Sequence, residues 1–278
     1  MLRPDSHEVN RRSWNAVTPA HNRHKGDQAA FLRDGGTTLF PEEVGLLGDI
    51  SGRRVAHLQC NCGQDSLSVA ALGAEVTGVD ISDDAVAFAR NLSAASGIPG
   101  TFVRSDLFDW LESTEDRFDV AFASYGVLSW LSDLDAYFHG VQRILRQGGR
   151  YVLVEFHPVV WIFDGRWNHR YPYTTSGAPL RESGVNDYVA GSEGALGGTI
   201  DPNPFHNPHP TDEFPWGLAD VIGGALRAGL RLRHFAEYDW SNGCKLQDPM
   251  KRLDGNRWTV PDGTPPVPLM YSIVAERP

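Results

Sequence analysis

The sequence predicts an α/β protein whose doubly wound, mostly parallel sheet carries helices on both faces. From Arg53 to about Phe156, short β-branched runs alternate with amphipathic segments, a pattern typical of βαβ units and a parallel sheet. At 278 residues, 41% of them hydrophobic, the chain is long and apolar enough to bury one full core. We therefore expect one domain with a sizeable insertion.

Five strands are predicted in the alternating part of the chain. They are Arg53–Gln59, Glu75–Asp80, Gly100–Arg104, Phe118–Ala123 and Gly149–Phe156. The segment Ser82–Ala95 is predicted to be a helix, because Ser82 can cap its free N–H groups and Asp83 follows in the first turn. Gly97 and Pro99 mark its end.

The composition changes after the fifth strand. Residues 158–216 are rich in Trp, Tyr, His, Pro and Gly and show no sustained period, which predicts an inserted loop region or lid. Its aromatic content argues against disorder, because disordered segments are depleted in aromatic residues. Regular structure is predicted to resume with a helix at Gly217–Ala228 and strands at Leu230–Tyr238 and Leu269–Glu276, with residues 240–268 as a long connection.

Charge and hydropathy argue against several classes of protein. The formal net charge is −10 and no Lys or Arg stripe is present, so nucleic acid is a poor substrate candidate. No apolar stretch approaches the roughly 18 residues needed to span a bilayer, so no membrane partner is expected. The first ten residues have no apolar core typical of a secretion signal, and we expect a cytoplasmic protein.

The cysteines and histidines do not predict a metal site. Cys60, Cys62 and Cys244 form no disulfide framework, and the C-x-C pair has no second pair at zinc-finger spacing. The segment His206-Asn-Pro-His209 has suitable residue types, but its neighbouring prolines leave the loop geometry arbitrary. We therefore predict no bound metal.

The strongest chemical signal is the segment Val55–Asp65, where an apolar strand runs into a turn and then a helix. Gly63 supplies an unhindered turn, and the following helix offers free N–H groups to a polar ligand. Asp80 ends the next strand, 21 residues after Gln59, the separation at which an acid meets ribose hydroxyls. Because the turn lacks G-x-G-x-x-G, a monoadenosyl ligand is favoured over a dinucleotide.

A second signal lies at the end of the third strand, in the triplet Ser105-Asp-Leu107. Asp106 could accept a hydrogen bond from an adenine amino group, while Leu107 could cover the ring. These residues extend the predicted adenosine site along the same sheet edge.

In this ordered set of motifs the sequence resembles the Rossmann-like class I S-adenosylmethionine-dependent methyltransferases. The matching segments are His57-Leu-Gln-Cys-Asn-Cys-Gly63, Gly78-Val-Asp-Ile-Ser82, Ser105-Asp-Leu107, Phe118-Asp-Val-Ala-Phe-Ala-Ser124 and Leu145-Arg-Gln-Gly-Gly-Arg-Tyr151. The resemblance implies a seven-stranded sheet, S-adenosylmethionine as cofactor and S-adenosylhomocysteine as product. It divides the chain into an N-terminal helical cap at 1–50, a cofactor-binding core at 51–156, a substrate lid at 157–216 and a C-terminal part at 217–278.

The resemblance also implies the cofactor contacts. The turn after the first strand would hold the methionine part, Asp80 the ribose and Asp106 with Leu107 the adenine, while Ser124 and Tyr125 would lie beside the sulfonium. Trp14 could close over the cofactor. The full predicted set is Trp14, Gln59, Cys60, Asn61, Gly63, Asp65, Asp80, Ile81, Asp106, Leu107, Ser124 and Tyr125.

One feature departs from the family pattern. The first motif usually has an acid and a G-x-G turn, whereas Gln59 and Cys60-Asn-Cys-Gly63 occupy these positions here. We expect backbone carbonyls and the amides of Gln59 and Asn61 to hold the ligand's ammonium group. The segments Ser13–His21 and Glu155–Pro158 are similar to natural-product methyltransferases of actinobacterial type, among them indole C3-methyltransferases of physostigmine-type biosynthesis.

Methyl transfer needs a protein base only when the acceptor must lose a proton. His157 is the first candidate, because it follows the fifth strand at the edge where open α/β sheets bind ligands. Glu155 and His21 are the next candidates. Each has a structural alternative: a loop cap for His157, and buried packing positions for Glu155 and His21.

Aromatic residues could wall a flat acceptor, exclude water and attract the sulfonium cation. Packing of the inserted segment is the alternative role for each of them. The predicted acceptor-binding residues are Tyr125, Trp130, Trp161, Tyr173, Tyr188 and Trp216.

The sequence thus favours direct in-line methyl transfer to a small aromatic molecule, with an indole in natural-product biosynthesis as one option and carbon slightly preferred over nitrogen or oxygen. A non-catalytic adenosyl-binding sensor and an NAD-dependent oxidoreductase are the alternatives. The single glycine of the turn argues against the oxidoreductase, and the aromatic insertion against the sensor. A homo-oligomer is compatible with the sequence.

Overall fold

The structure, a computed structural model, describes residues 1–201 and 203–278. Its α-helices are α1 Pro4–Arg23, α2 Gln28–Arg33, α3 Pro41–Leu47, α4 Gln64–Ala71, α5 Asp83–Ser96, α6 Leu107–Ser113, α7 Leu134–Ile144, α8 Tyr188–Gly191 and α9 Leu218–Arg227. Its strands are β1 Arg54–Leu58, β2 Glu75–Asp80, β3 Thr101–Arg104, β4 Phe118–Ser124, β5 Leu145–Phe156, β6 Leu180–Glu182, β7 Thr211–Glu213, β8 Arg231–Tyr238, β9 Trp240–Asn242, β10 Lys251–Leu253, β11 Arg257–Thr259 and β12 Met270–Glu276. Two short 3-10 turns lie at Leu128–Trp130 and Pro158–Ile162.

The central sheet has seven strands in the order β3-β2-β1-β4-β5-β12-β8. All neighbouring pairs from β3 to β5 are parallel, and β12 runs antiparallel to both β5 and β8. The order reverses between β1 and β4, and this reversal opens a crevice at the carboxyl ends of these strands. The predicted fold, a seven-stranded, mostly parallel and doubly wound sheet, is confirmed.

The predicted helix after β2 is also confirmed, to within a residue at each end. The Ser82 hydroxyl accepts a hydrogen bond from Ala85 N at 3.1 Å and so caps α5. Gly97 ends the helix in the left-handed conformation at φ 74°, which costs glycine nothing because it has no Cβ.

Apolar side chains cover both faces of the sheet. On one face, buried residues of α6, α7 and α9 pack against strands β4, β5 and β12 in the largest cluster, which includes Phe138, Val141 and Val221. On the other face, two clusters contain residues of α3, α4 and α5, among them Leu47 and Leu67. The two buried faces hold the strands rigid, so the turns at their carboxyl ends are anchored on a fixed frame.

The segments outside this sheet are more ordered than their lack of periodicity indicated. The insertion after β5 contains α8 and an antiparallel ribbon of β6 with β7. The predicted long connection of residues 240–268 instead contains a three-stranded antiparallel sheet in the order β10-β11-β9. Its strands are three residues long, too short for an alternating pattern to be recognised in the sequence.

The N-terminal segment forms helices, as predicted. Helix α1 lies against α5 and β7, and its residues His7, Asn10 and Trp14 face the crevice of the sheet. Among the residues that the structure describes, no helix is both long enough and apolar enough to cross a bilayer.

Candidate active site

A large cavity of about 820 Å³ opens at the carboxyl edge of the sheet. The turns after β1, β2, β3 and β4 all contribute to its wall, as expected at the point where strand order reverses. Eleven of the twelve predicted cofactor residues line it: Trp14, Gln59, Cys60, Asn61, Asp65, Asp80, Ile81, Asp106, Leu107, Ser124 and Tyr125.

Gly63 is the predicted cofactor residue that does not line the cavity. Its φ of 77° demands a residue that tolerates the left-handed region. A Cβ at this position would lie 2.8 Å from both the Ala89 Cβ and a ring carbon of Phe102. The glycine therefore permits the close packing of the turn against α5 and β3.

Asp80 fastens the turn after β1. One carboxylate oxygen accepts a hydrogen bond from Asn61 N at 2.8 Å, and the other accepts one from Ser82 N at 2.9 Å. Burial raises the pKa of Asp80, and the backbone N–H donors oppose that shift. Because each oxygen can accept more than one hydrogen bond, the carboxylate can still bind hydroxyl groups in the cavity.

Asn61 explains how the turn forms without the usual glycines. Its φ is 48° and that of Gln59 is 56°, so two side-chain-bearing residues adopt the left-handed conformation within three positions. Asparagine tolerates this region better than most residues, and the Asn61 Oδ1 accepts a hydrogen bond from Cys62 N at 2.7 Å. The departure from the family motif is thus a local substitution that keeps the shape of the turn.

Asp106, which follows β3, also lines the cavity. It caps α6 by accepting a hydrogen bond from Phe108 N at 2.8 Å, and its other oxygen lies 2.7 Å from His7 Nδ1. Burial would raise the pKa of Asp106, but the hydrogen bond and charge of His7 outweigh it and hold the pKa below its usual value. His7 was not predicted from the sequence, because it approaches Asp106 only through the docking of α1.

A buried acid and a cation also line the cavity. Asp65 accepts a hydrogen bond from Thr38 Oγ1 at 2.6 Å, and burial raises its pKa. Lys25 also lines the cavity, close enough to Asp65 for its charge to oppose that shift. Within residues 1–201 and 203–278, the Lys25 ammonium forms no ion pair. The sequence analysis missed Lys25, since it lies in a short turn with no motif around it.

Tyr125 directly follows β4 and contacts polar side chains at the cavity wall. Its φ is 53°, a strained value for a tyrosine, and its hydroxyl lies 2.9 Å from Asn242 Nδ2. Burial, and then the nearby Glu43 carboxyl, raises the pKa of Tyr125 well above its usual value, so the phenol stays neutral. Asn242, from the short strand β9, was also missed.

The predicted acceptor residues divide between two cavities. Trp130, Trp161 and Tyr188 line the large cavity together with Tyr125. Tyr173 and Trp216 instead line a small neighbouring cavity of about 40 Å³, which Trp161 also borders. The Trp216 ring nitrogen donates to Leu131 O at 2.8 Å and so contributes to packing.

Glu155, a predicted base, is fully engaged with the backbone. Its carboxylate accepts hydrogen bonds from Val127 N at 2.7 Å, Leu128 N at 3.0 Å and Phe156 N at 2.7 Å, and from Gly126 N. It is 4% exposed and does not line the large cavity. This geometry favours a structural role, in which Glu155 anchors the turn after β4.

The two predicted histidine bases also lie outside the wall of the large cavity. His157 Nδ1 accepts a hydrogen bond from Val159 N at 3.1 Å, and its Nε2 lies 2.8 Å from Glu237. The His21 ring packs on Tyr188 with ring centroids 4.2 Å apart, and burial lowers its pKa to about 4. Both imidazoles are held in place by structural contacts.

Glu213 is an ionisable residue of the cavity that the sequence analysis did not place in the site. It ends β7 and lines the large cavity, and burial followed by the charge of Glu182 raises its pKa to about 7. No signal in the sequence could place it there, because the position depends on how the insertion folds back onto the sheet.

Comparisons with known proteins agree with this geometry. Residues 55–149 match a family model described as a methyltransferase domain. An uncharacterized methyltransferase from Synechocystis is 32% identical over 138 residues, which are 48% of this chain and 62% of the relative. A ubiquinone biosynthesis O-methyltransferase from Rhizobium etli is 28% identical over 43% of this chain and 48% of its own length. The chain thus spans less than two thirds of these curated relatives.

Solved structures share the fold at low sequence identity. An S-adenosylmethionine-dependent methyltransferase from Mesorhizobium loti superposes with a TM-score of 0.56 at 20% identity, covering 87% of this chain and 99% of the other. A magnesium protoporphyrin IX methyltransferase from Synechocystis with bound SAH gives 0.55 at 17% identity and covers 99% of this chain and all of its own. These similarities establish the Rossmann-like methyltransferase fold.

The comparisons thus identify a methyltransferase domain at residues 55–149, on a fold that solved S-adenosylmethionine-dependent methyltransferases share. They also support S-adenosylmethionine as its cofactor.

The donor set of the cavity fits that cofactor. Lys25 and Asp65 offer opposite charges to the carboxylate and ammonium of a methionine part, and Asp80 offers acceptors to ribose hydroxyls. Asp106 and Leu107, the predicted adenine contacts, line the same cavity. Among the described residues Lys25 has no ion-pair partner, and an anionic group in the cavity would supply one.

Proposed function

We propose that the chain transfers a methyl group from S-adenosylmethionine to a small aromatic metabolite. The observation that carries this proposal is one continuous cavity, lined both by polar residues of four sheet turns and by aromatic side chains. A non-catalytic sensor would need the polar part alone. An indole acceptor in natural-product biosynthesis remains part of the proposal and rests on the resemblance of Ser13–His21 and Glu155–Pro158 to that branch.

When bound, the cofactor supplies a methyl group already activated by its positive sulfur. The chain's residues then have to bind, orient and exclude water. Asp80 accepts hydroxyl hydrogens while it keeps the turn at Asn61 closed, and Lys25 pairs with a carboxylate. Trp14 and Trp130 pack edge to face, with ring centroids 5.4 Å apart, and form an apolar wall of the cavity.

Tyr125 orients groups at the centre of the cavity. Its neutral phenol can donate one hydrogen bond while its oxygen accepts from Asn242. Asn242 is held in turn by Arg257, whose Nε donates to its Oδ1 at 3.0 Å. We propose that Tyr125, Asn242 and Arg257 together position the acceptor beside Ser124. Glu155 holds the same turn through its hydrogen bonds from the backbone N–H groups after β4.

Calorimetry tests the cofactor part of the proposal. We expect S-adenosylmethionine and S-adenosylhomocysteine to bind with measurable heat and NAD to give none. Lys25→Met should weaken binding of S-adenosylhomocysteine, whereas Lys251→Met, at an exposed lysine paired with Asp262, should not. Binding of NAD alone would contradict the proposal.

A mass-shift screen tests the acceptor. Indoles, phenols and aromatic amines are incubated with enzyme and S-adenosylmethionine, and products heavier by one methylene are sought. The position of the new methyl group then distinguishes carbon, nitrogen and oxygen as acceptor atoms. Tight cofactor binding without any methylated product across these classes would favour the sensor.

A further inference from the structure

Glu213 lies where the insertion meets the sheet edge. Phe214 N donates a hydrogen bond to Ser129 O at 2.8 Å, so the end of β7 is docked on the 3-10 turn that carries Trp130. We call the wall formed here by Ser129, Trp130, Phe156, Trp161, Glu213 and Pro215 the acceptor chamber. Glu213 is its only ionisable side chain.

The Glu213 carboxylate has no cationic partner among the described residues. Its one side-chain hydrogen bond comes from Thr211 Oγ1, at a long 3.4 Å. The adjacent Asp212 differs, because Arg181 Nη2 donates to its Oδ2 at 3.0 Å and Arg181 Nε pairs with its other oxygen. Of these two neighbouring acids on β7, Asp212 is paired with a cation in the described part of the chain, whereas Glu213 is not, and Glu213 is the one that lines the cavity.

The groups around Glu213 increase the free-energy cost of ionising it without a cationic partner. In the antiparallel register of β6 and β7, Glu182 pairs with Thr211, two residues from Glu213 and on the same face of the ribbon. Its negative charge adds to burial in disfavouring ionisation of Glu213. Tyr171 lies nearby, and burial, followed by the charges of Glu182 and Glu213, raises its pKa.

Among the described residues, the other elements packed on β7 place no cation within ion-pair distance of Glu213. The nearby cations lie elsewhere, since Arg3 at the start of α1 acts on Asp212 and Arg170 lies over the Tyr171 ring. From α1, Asn10 bonds the backbone of Asp212 and His7 is engaged by Asp106 and Ser132. The 3-10 turn Leu128–Trp130 carries no titratable side chain. A half-buried carboxylate beside a like charge gains most from a cation that arrives with a ligand.

The aromatic part of the acceptor chamber suits such a ligand. Trp161 packs edge to face on Phe156, with ring centroids 6.0 Å apart, and Trp130 lies beside Ser129 in the same wall. Indole faces attract cations, and a flat aromatic group can share the same surface. We propose that Glu213 binds an ammonium group on the acceptor, so that the acceptor class is an alkylamine that carries an aromatic ring, in its protonated form. This inference rests on the proposed function.

Paired probes test the inference by calorimetry in saturating S-adenosylhomocysteine. Tryptamine carries an ammonium group, and tryptophol has a neutral hydroxyl at the same position. At pH 8 we expect the chain to prefer tryptamine by about 10- to 100-fold, the range of one charge-assisted hydrogen bond. Glu213→Gln should abolish that preference and leave the binding of S-adenosylhomocysteine unchanged, which also shows that the variant is folded.

The pH dependence supplies a second readout. Because the ammonium binds the ionised carboxylate, tryptamine affinity should fall as the pH drops through about 7, the pKa of Glu213. Glu182→Gln removes the neighbouring negative charge, so the pKa of Glu213 should fall and the midpoint should move to lower pH. Tryptophol binding should not follow this profile.

Three results would overturn the inference. The first is equal affinity for the two probes, and the second is no binding of either probe. The third is a Glu213→Gln variant whose affinity for S-adenosylmethionine falls while its affinity for S-adenosylhomocysteine does not. The last result would assign the carboxylate to the sulfonium. Failure of the chain to bind either cofactor form would instead contradict the proposed function, and the probe preference could still be measured without cofactor.

Discussion

The two halves of the large cavity are built in different ways. The polar half is made by turns at the ends of adjacent strands, and its shape depends on backbone conformation, as the φ angles of Gln59, Asn61 and Tyr125 illustrate. The aromatic half is made by side chains such as Trp161 and Glu213 on segments outside the parallel strands. The polar half is therefore fixed by the sheet, whereas the aromatic half can change without disturbing the sheet.

The largest effect is expected from Asp80→Ala, which removes the anchor of the polar half. The variant loses two backbone hydrogen bonds as well as the acceptors offered to a ribose. Hydrogen bonds to a charged group contribute about 1.5–3 kcal/mol each, so affinity for S-adenosylhomocysteine should fall by roughly 100-fold or more. Calorimetry measures this, with Asp109→Ala on the exposed side of α6 as control. Unchanged affinity would mean that the ribose lies elsewhere.

Glu155→Gln should mainly destabilise the fold. The amide cannot accept all the backbone hydrogen bonds that the carboxylate accepts, and the free energy of unfolding should fall by about 3 kcal/mol. Urea unfolding measures the change, and Glu112→Gln at an exposed site serves as control. If turnover were lost while stability stayed the same, Glu155 would act on the proton of the acceptor and not as an anchor.

Acid should destabilise the polar half through His57. This residue is 2% exposed, its Nδ1 lies 2.7 Å from Ser66 Oγ, and burial lowers its pKa to about 3. A histidine with a lowered pKa stabilises the fold above its unfolded pKa of about 6.5, and that stabilisation is lost as the pH falls towards 3. Unfolding free energy should decrease by about 1.4 kcal/mol per pH unit for this group.

Unfolding measurements from pH 7 to pH 4 test this expectation. His57→Asn should flatten the slope, whereas His139→Asn at an exposed histidine should not. Identical slopes in the two variants would mean that other groups govern the acid sensitivity.

Asn61 tests how strictly the backbone defines the polar half. Asn61→Val should destabilise the fold by about 1–2 kcal/mol, because a β-branched residue tolerates a φ of 48° poorly. Asn61→Gly should preserve the turn at little cost. Thermal unfolding compares the two, and an equal loss in both would point to the side-chain bond to Cys62 N as the dominant contribution.

The smallest effect on stability is expected from Trp161→Ala in the aromatic half. The side chain is 40% exposed, so unfolding free energy should change by only about 0.5 kcal/mol, and cofactor affinity should not change. The KM for the acceptors found by the mass-shift screen should nevertheless rise. A loss of cofactor affinity would show that the two halves are coupled more closely than their construction indicates.

The same contrast explains which features the sequence predicted. The strands and the helix capped by Ser82 follow from local patterns and agree with the structure to within a few residues. Most residues predicted to bind the cofactor line the large cavity. The tight packing that requires a glycine at position 63 involves Ala89 and Phe102. Because these residues are distant in sequence, no local pattern could predict it.

The base candidates and the aromatic half were harder to predict. His157 was chosen by its position at the sheet edge, but its side-chain direction is set by Glu237 on a strand 80 residues later. Glu213, Lys25 and Asn242 reach the cavity through long-range docking of segments without periodic signals.

The position of β12 between β5 and β8 has a consequence for assembly of the fold. The parallel strands that carry the polar half are complete by Phe156, but β8 pairs with the sheet only through residues 270–276. Until those residues are available, β5 and β8 both present unpaired N–H and C=O groups, the kind of edge that promotes association between chains. Strand β12, which follows β8 in the chain, therefore joins β8 to the sheet and covers the open edge of β5.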